Sequence, residues 1–163
     1  MRSTALRMTR FALIAAAALA FAAPALAAPA PPETPAGPDF LAQNAKAKGV
    51  ITTASGLEYF IVKSGPATGP HPTAQDSATF DYDVKLLNGQ VIDSSYERGE
   101  PLSGTVGDFV PGFSEALELM RPGDEWIVWV PPQLGYGAQD KGPIPGNSVL
   151  RFRLALHSVT PAG

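Results

Sequence analysis

The chain has 163 residues, of which 45% are hydrophobic and 17% charged, with 17 Pro, 16 Gly and no Cys. That length accommodates one domain with short extensions, and a net charge of −3 offers no basic field for nucleic acid. The absence of Cys excludes disulfides, thiol chemistry, a lipid-modified N-terminal Cys and Cys-ligated metals, and two separated histidines, His71 and His157, make no zinc cluster.

Residues 1–27 read as a secretory signal. Arg2, Arg7 and Arg10 form a positive n-region, Phe11 to Ala23 is apolar, and Ala25-Leu26-Ala27 matches the small-x-small cleavage pattern. The apolar run is shorter than the roughly 20 residues that span a bilayer. Cleavage would take the net charge from −3 to −6, because three Arg and no acid leave. Localisation is therefore expected to be periplasmic or secreted, with no membrane association after cleavage. Residues 28–38 are a Pro-rich linker without periodicity.

Asp39 opens a short helical pattern through Lys48, with Phe40, Leu41 and Ala45 as its apolar stripe and Gly49 as its stop. A helical lead-in over 39–55 thus precedes the domain expected at 56–160. Leu57 to Lys63 reads as a strand, and Ser64 to Ser77 is rich in turns. Phe80, Tyr82, Val84 and Leu86 alternate with Asp81, Asp83 and Lys85, predicting a strand with one buried and one wet face. Asn88-Gly89 supplies a hairpin turn into Val91 and Ile92, followed by Asp93-Ser94-Ser95. Phe113, Ala116, Leu117 and Met120 share one helical face over Pro111–Met120, which Pro122-Gly123 ends. Trp126–Val130 predicts a strand covered on both faces, and Leu150, Phe152, Leu154 and Leu156 alternate in a closing strand. The expected fold is α+β: about five antiparallel strands forming a half-barrel around one short helix.

Conventional catalytic chemistry finds little support. Ser94 and Ser95 lie beside Asp93 but lack a nucleophile elbow and a histidine motif. The carboxylate pairs Asp81/Asp83 and Glu115/Glu118 fall on polar faces, and the glycines from Gly135 to Gly146 lack a phosphate-loop pattern. What remains is a set of aromatic residues on turns. Tyr136 stands between Gly135 and Gly137, and Val110 precedes Pro111 at a helix start where a backbone N–H goes unused. An apolar cleft with a phenol and a free N–H suits an extended, apolar peptide.

These motifs resemble the FKBP-type peptidyl-prolyl isomerases from about Gly56 to Val159: Phe80-Asp81-Tyr82, Asn88 to Ser95, Val110-Pro111-Gly112-Phe113, Leu134-Gly135-Tyr136-Gly137, and Ile144 to Ser148. The resemblance implies an isomerase of X-Pro bonds in exported proteins that needs no cofactor or metal. It implies Phe113 as the floor of a proline pocket, with Tyr82, Val110 and Phe152 as walls and Ile92 where Phe is usual. Asp93 matches the pocket carboxylate, oriented by Tyr82 and Arg98. Tyr136 matches the phenol that donates to a substrate carbonyl, and Ile144 matches the flap. Leu102, Phe109 and Leu134 complete the substrate-binding set. Leu102 stands where an aromatic is common, Leu134 where Tyr is frequent, and Pro143 at an apolar flap position. Implied partners are proline-containing polypeptides and macrolides of the rapamycin type, with a monomer expected because only about 18 residues, Pro38 to Ser55, lie between the linker and the first strand. Two other readings stand beside it: a catalytically weak chaperone or adaptor module that holds Pro-containing segments, and a hydrolase using Ser94 or Ser95.

Overall fold

The computed structural model of the protein describes residues 37–163; the signal sequence and all but the end of the linker expected above lie outside the described residues. A first helix, α1 (Gly37–Asn44), begins two residues before the predicted segment and ends four before its limit. After Asn44 the chain unwinds through successive tight turns, and Val50 N–H donates to the Ala47 carbonyl as the strand β1 (Val50–Thr52) begins. No apolar alternation announces β1, which is only three residues long.

The chain then runs through β2 (Glu58–Lys63), β3 (Ser77–Leu86), β4 (Val91–Ser94), α2 (Ser95–Arg98), β5 (Leu102–Thr105), α3 (Pro111–Leu119), β6 (Glu125–Val130) and β7 (Leu150–Thr160). All pairings are antiparallel, in the order β1-β2-β6-β7-β3-β4, with β5 also paired to β3. The α+β architecture is the expected one. The described residues form seven strands rather than about five, the additions being short β1 and β5 at the margins.

Alternation decides which side of the sheet is dry. Ala78, Phe80, Tyr82, Val84 and Leu86 of β3 are buried, as are Trp126, Val128 and Val130 of β6 and Leu150, Phe152, Leu154 and Leu156 of β7. The other face of β6 is only half covered, not fully as its composition suggests. There Trp129 meets Phe40 of α1 at a centroid distance of 6.5 Å, whereas on the dry face Trp126 stacks on Tyr59 at 4.4 Å.

Helix α3 lies across the dry face and buries Phe113, Ala116 and Leu117, with Met120 just beyond its end. Pro111 occupies the first turn, where its missing N–H costs nothing. The helix approaches β6 so closely that a Cβ on Gly112 would sit 2.6 Å from Val130 Cγ1. A larger residue there would lift the helix start, and Phe113 with it.

Two bulges re-aim side chains around the site. In the β3–β4 pair, Val84 faces Asp93 and Lys85 faces Val91, so Ile92 is the extra residue. In the β3–β7 pair, Thr79 faces Ser158 and Phe80 faces Leu156, so His157 is the extra residue. Such insertions locally bend a strand and turn a side chain out of register.

Leu154 is fully buried in the central strand β7. Leu154→Ala should lower unfolding free energy by about 3 kcal/mol, read as a drop in urea midpoint at constant m-value; a loss below about 1 kcal/mol would mean that the core relaxes around the cavity.

Candidate functional site

Phe113 is the centre of an aromatic cluster built from four elements. Its ring lies 5.2 Å from Phe80, 5.0 Å from Phe109, 5.1 Å from Phe152 and 6.3 Å from Tyr82, the last two edge-on. Edge-to-face pairs at these separations are favourable beyond their buried area. Phe80 also meets Phe109 at 5.5 Å and stands opposite Leu102 in the β3–β5 register. Four predicted residues, Tyr82, Phe109, Phe113 and Phe152, are thus brought together. Phe80, fully buried behind them, was not predicted as part of the group. Its place in the Phe80/Tyr82 alternation was the available signal.

One edge of the cluster is charged. The Tyr82 hydroxyl donates to Asp93 Oδ2, Arg98 Nη1 donates to Asp93 Oδ1, and Arg98 Nη2 donates to the Tyr82 oxygen at 3.0 Å. The Arg98 guanidinium also sits 5.4 Å from the Tyr82 ring centroid. Ser94 N–H donates to Asp93 Oδ1 at 2.8 Å. Helix α2 holds Arg98 in place: Ser94 Oγ caps its start by accepting from Glu97 N–H, and Gly99 ends it in the left-handed region.

Partial desolvation works to raise the Asp93 pKa, but the Tyr82 hydroxyl, the Ser94 N–H and Arg98 outweigh it and hold the carboxyl below its usual range. Burial, reinforced by the Asp93 carboxylate, pushes the Tyr82 phenol up despite Arg98, so it remains a donor. The Asp93 side chain is 46% exposed, which makes it a carboxylate at the rim of the cluster.

Val110 immediately precedes α3 in an extended conformation. Its carbonyl accepts from Phe113 and Ser114 N–H, whereas its own N–H has no acceptor among the described residues. Ser114 Oγ donates to the Val106 carbonyl at 2.6 Å and fixes the turn that carries Phe109. Tyr136 is 41% exposed on the loop after β6, and its hydroxyl has no partner among the described residues. Ile144 is buried in a turn closed by reciprocal Lys141–Ile144 backbone bonds, while Leu134, Leu102 and Ile92 pack half-buried against the core. The Tyr136 and Ile144 loops are tied together: Asn147 N–H donates to the Gly137 carbonyl at 2.8 Å, and Gly146 lies so close to the Ala138 carbonyl that a Cβ would collide with it.

For Ser95 the hydrolase reading fails on geometry. Ser95 is fully buried; its Oγ donates to Asp81 Oδ1 at 2.7 Å and accepts from Tyr82 N–H at 2.9 Å. His157 bonds the other Asp81 oxygen at 2.7 Å. The carboxylate stands between serine and histidine, so the histidine cannot take the serine proton. Asp81, expected on a solvated face, is instead the hub joining β3, β7 and α2. His71 also has a place, with Nδ1 against the Met120 carbonyl at 3.1 Å and Nε2 accepting from Arg121 at 2.9 Å. Among the described residues, no group of His, Cys, Asp or Glu suits a metal ion.

Residues 69–157 match the family model described as FKBP-type peptidyl-prolyl cis-trans isomerase, and residues 14–61 match that of the domain amino terminal to it. The chain is 43% identical over 121 residues to the peptidyl-prolyl cis-trans isomerase Mip of Coxiella burnetii, covering 74% of this chain and 52% of that one. It is 39% identical to the outer membrane protein MIP of Legionella longbeachae, over 77% of this chain and 54% of the relative. Among solved structures, that of FkpA from Escherichia coli superposes with a TM-score of 0.74 at 37% identity, covering 78% of this chain and 59% of that one. The chain spans about half the length of the curated relatives it matches.

The folded Asp93 pKa is depressed, so its contribution to stability is present above the ordinary carboxylate value of about 4 and is lost as pH falls through the lower folded value. NMR titration should place the Asp93 carboxyl below that ordinary value and move it upward in Tyr82→Phe. An Asp93 titration unchanged by Tyr82→Phe would mean that Arg98 and Ser94 suffice to hold it.

Proposed function

This chain belongs to the FKBP-type peptidyl-prolyl cis-trans isomerase family, and from that membership we propose that it accelerates X-Pro isomerisation in exported polypeptides. The observation that best supports this is the Phe113 cluster, with the Val110 N–H at the start of α3 left without an acceptor among the described residues. We assign the organisation as a signal sequence over 1–27, a linker over 28–38, a lead-in over 39–55 and the isomerase domain over 56–160. The mature protein is then periplasmic or secreted. No described helix is long and apolar enough to cross a membrane.

Rotation about the peptide bond is opposed by amide resonance, with a barrier of ~18–20 kcal/mol, and X-Pro bonds exchange unaided in tens to hundreds of seconds. The twisted transition state has lost that resonance, and its carbonyl is less polar than in the planar amide. In our reading the proline ring rests on Phe113 between Tyr82, Val110 and Phe152. The water-poor aromatic surroundings then favour the twisted amide over the planar one, which is differential binding. The Val110 N–H and the Tyr136 hydroxyl hold the chain on either side of the proline in a turned conformer. Asp93, held by Tyr82, Arg98 and Ser94, sets the electrostatic environment at the rim and does not transfer a proton. A thousandfold acceleration requires about 4 kcal/mol of differential stabilisation.

Leu102, Leu134, Ile92, Phe109 and Ile144 complete the substrate contacts in this proposal. Leu102 and Leu134 offer aliphatic surface where aromatic rings are common, so macrolides of the rapamycin type should bind less tightly here than to a rim with aromatic rings at those positions.

The first test follows cis-to-trans conversion of Leu-Pro and Ala-Pro tetrapeptides. The wild type should accelerate exchange, and Tyr136→Phe should lower kcat/KM by about three- to tenfold, the worth of one hydrogen bond. Rapamycin should inhibit the exchange only weakly; acceleration wholly insensitive to it would mean that Leu102 and Leu134 reshape the rim while the chemistry is kept. No acceleration by a protein with a cooperative unfolding transition would favour the binding-module reading instead. Sedimentation equilibrium should give a monomer at micromolar concentration, and a dimer would overturn that assignment.

A further inference from the structure

A groove of about 680 Å³ runs between α1 and the loop that follows β6. Leu41 and Ala42 line one side with Ala45 just beyond them, Pro132 and Gly137 line the other, and Glu58 forms part of the wall. Glu58 opens strand β2 and is only 3% exposed. Among the described residues its one side-chain hydrogen bond is from Asn44 Nδ2 at 2.7 Å, and no cation pairs with it. A secluded carboxylate is costly to keep charged without a partner of opposite sign, and burial does raise the Glu58 pKa, offset in part by Asn44. A second acid stands nearby: Ser55, next to the lining residue Gly56, donates to Glu115 at 2.6 Å. Among the described residues no Lys or Arg lines the groove.

The opposite wall belongs to the loop that carries the proposed substrate contacts. Residues 131–133 and 137–138 face the groove, while Leu134 to Tyr136 form the intervening arc. That arc is closed by Gly137 N–H donating to the Pro132 carbonyl at 2.8 Å.

We propose that this groove holds an extended, apolar stretch of the client polypeptide bearing one basic side chain, which pairs with Glu58 while the proline occupies the Phe113 site. The proposal rests on the isomerase reading for the nature of the client. Charge complementarity selects the occupant: an otherwise apolar channel with an uncompensated carboxylate favours a chain that brings a cation and little else that is polar. Because the groove backs onto the Tyr136 loop, one polypeptide long enough to fill both sites gains from their tethering.

The test uses the full chain and dye-labelled peptides of about ten residues, some 33 Å when extended, made of Val, Thr and Ala without proline. One carries a central Lys, its companion Gln. Fluorescence anisotropy should show the Lys peptide binding about tenfold more tightly than the Gln peptide, as expected for a charge-assisted pair. Glu58→Gln, which preserves the bond from Asn44, should erase that preference. Ala42→Trp, filling the groove from an exposed helix position, should abolish binding of both. Tetrapeptide turnover should be unchanged in both variants. Equal affinity for the two peptides, a preference that survives Glu58→Gln, or no binding at all would overturn the proposal. So would a dimer that Ala42→Trp converts to monomer, since a second copy would then be the occupant. Lys-selective binding by a protein without tetrapeptide turnover would leave the groove standing and remove the isomerase reading.

Discussion

The packing of Phe113 against four other aromatic rings is the contact on which the rest of the architecture depends. It requires α3 to cross the sheet close to β6, which Gly112 permits. It also requires the Phe109 turn to be pinned, which Ser114 achieves through the Val106 carbonyl. Strand β3 delivers Phe80 and Tyr82 from one side, and β7 delivers Phe152 from another. Rings this close have little freedom to rearrange, because interiors at such density respond to the displacement of one member by shifting its neighbours. The same packing that contributes to the core thereby sets the shape offered to a ligand.

The charged rim is organised differently. Arg98, Asp93 and Tyr82 bond to one another, but two of the three side chains are substantially exposed. Screening weakens such pairs as a source of stability. Their value lies in orientation: the bulge at Ile92 turns the start of β4, α2 fixes Arg98, and the two together set where Asp93 stands. A residue whose position is fixed from two directions and whose energetic contribution is screened is better suited to shaping a local field than to anchoring a fold.

Much of this architecture was legible in the chain because its strongest signals are periodic. The alternation in β3 and β7 and the 3.6-residue spacing in α3 translate directly into the dry face and the helix that covers it. The marginal strands were not legible, since three or four residues are too few to display a period. The short α2 is hidden because four residues are too few to display a period and its cap, Ser94, lies in the Asp93-Ser94-Ser95 run that follows Val91 and Ile92. The bulge at His157 left a trace: burial falls on even positions through Leu156, whereas the next apolar residue, Val159, is odd. Tyr82, Phe113 and Phe152 enter the expected site through the family resemblance, whereas Phe80, which alternates with Tyr82, does not. The Asp81 hub and the Glu58 groove were not legible, because both join residues far apart in the chain, and a carboxylate's partners cannot be read from its immediate neighbours.

The position of β7 between β6 and β3 has a kinetic consequence. Its pairing with β6 joins residues 20 to 30 positions apart, from Val130–Leu150 to Glu125–Ala155, whereas its pairing with β3 joins residues 64 to 83 apart, from Leu86–Leu150 to Ser77–Thr160. Closing the longer loops costs more chain entropy before any contact rewards it, which places this topology among the slow folders. Phe113 and Phe152 can meet once α3, β6 and β7 have assembled, but Tyr82 and Asp93 join them only when β3 docks. The aromatic cluster is thus completed only in the late event that docks β3, and a half-folded chain carries at most its Phe109, Phe113 and Phe152 portion.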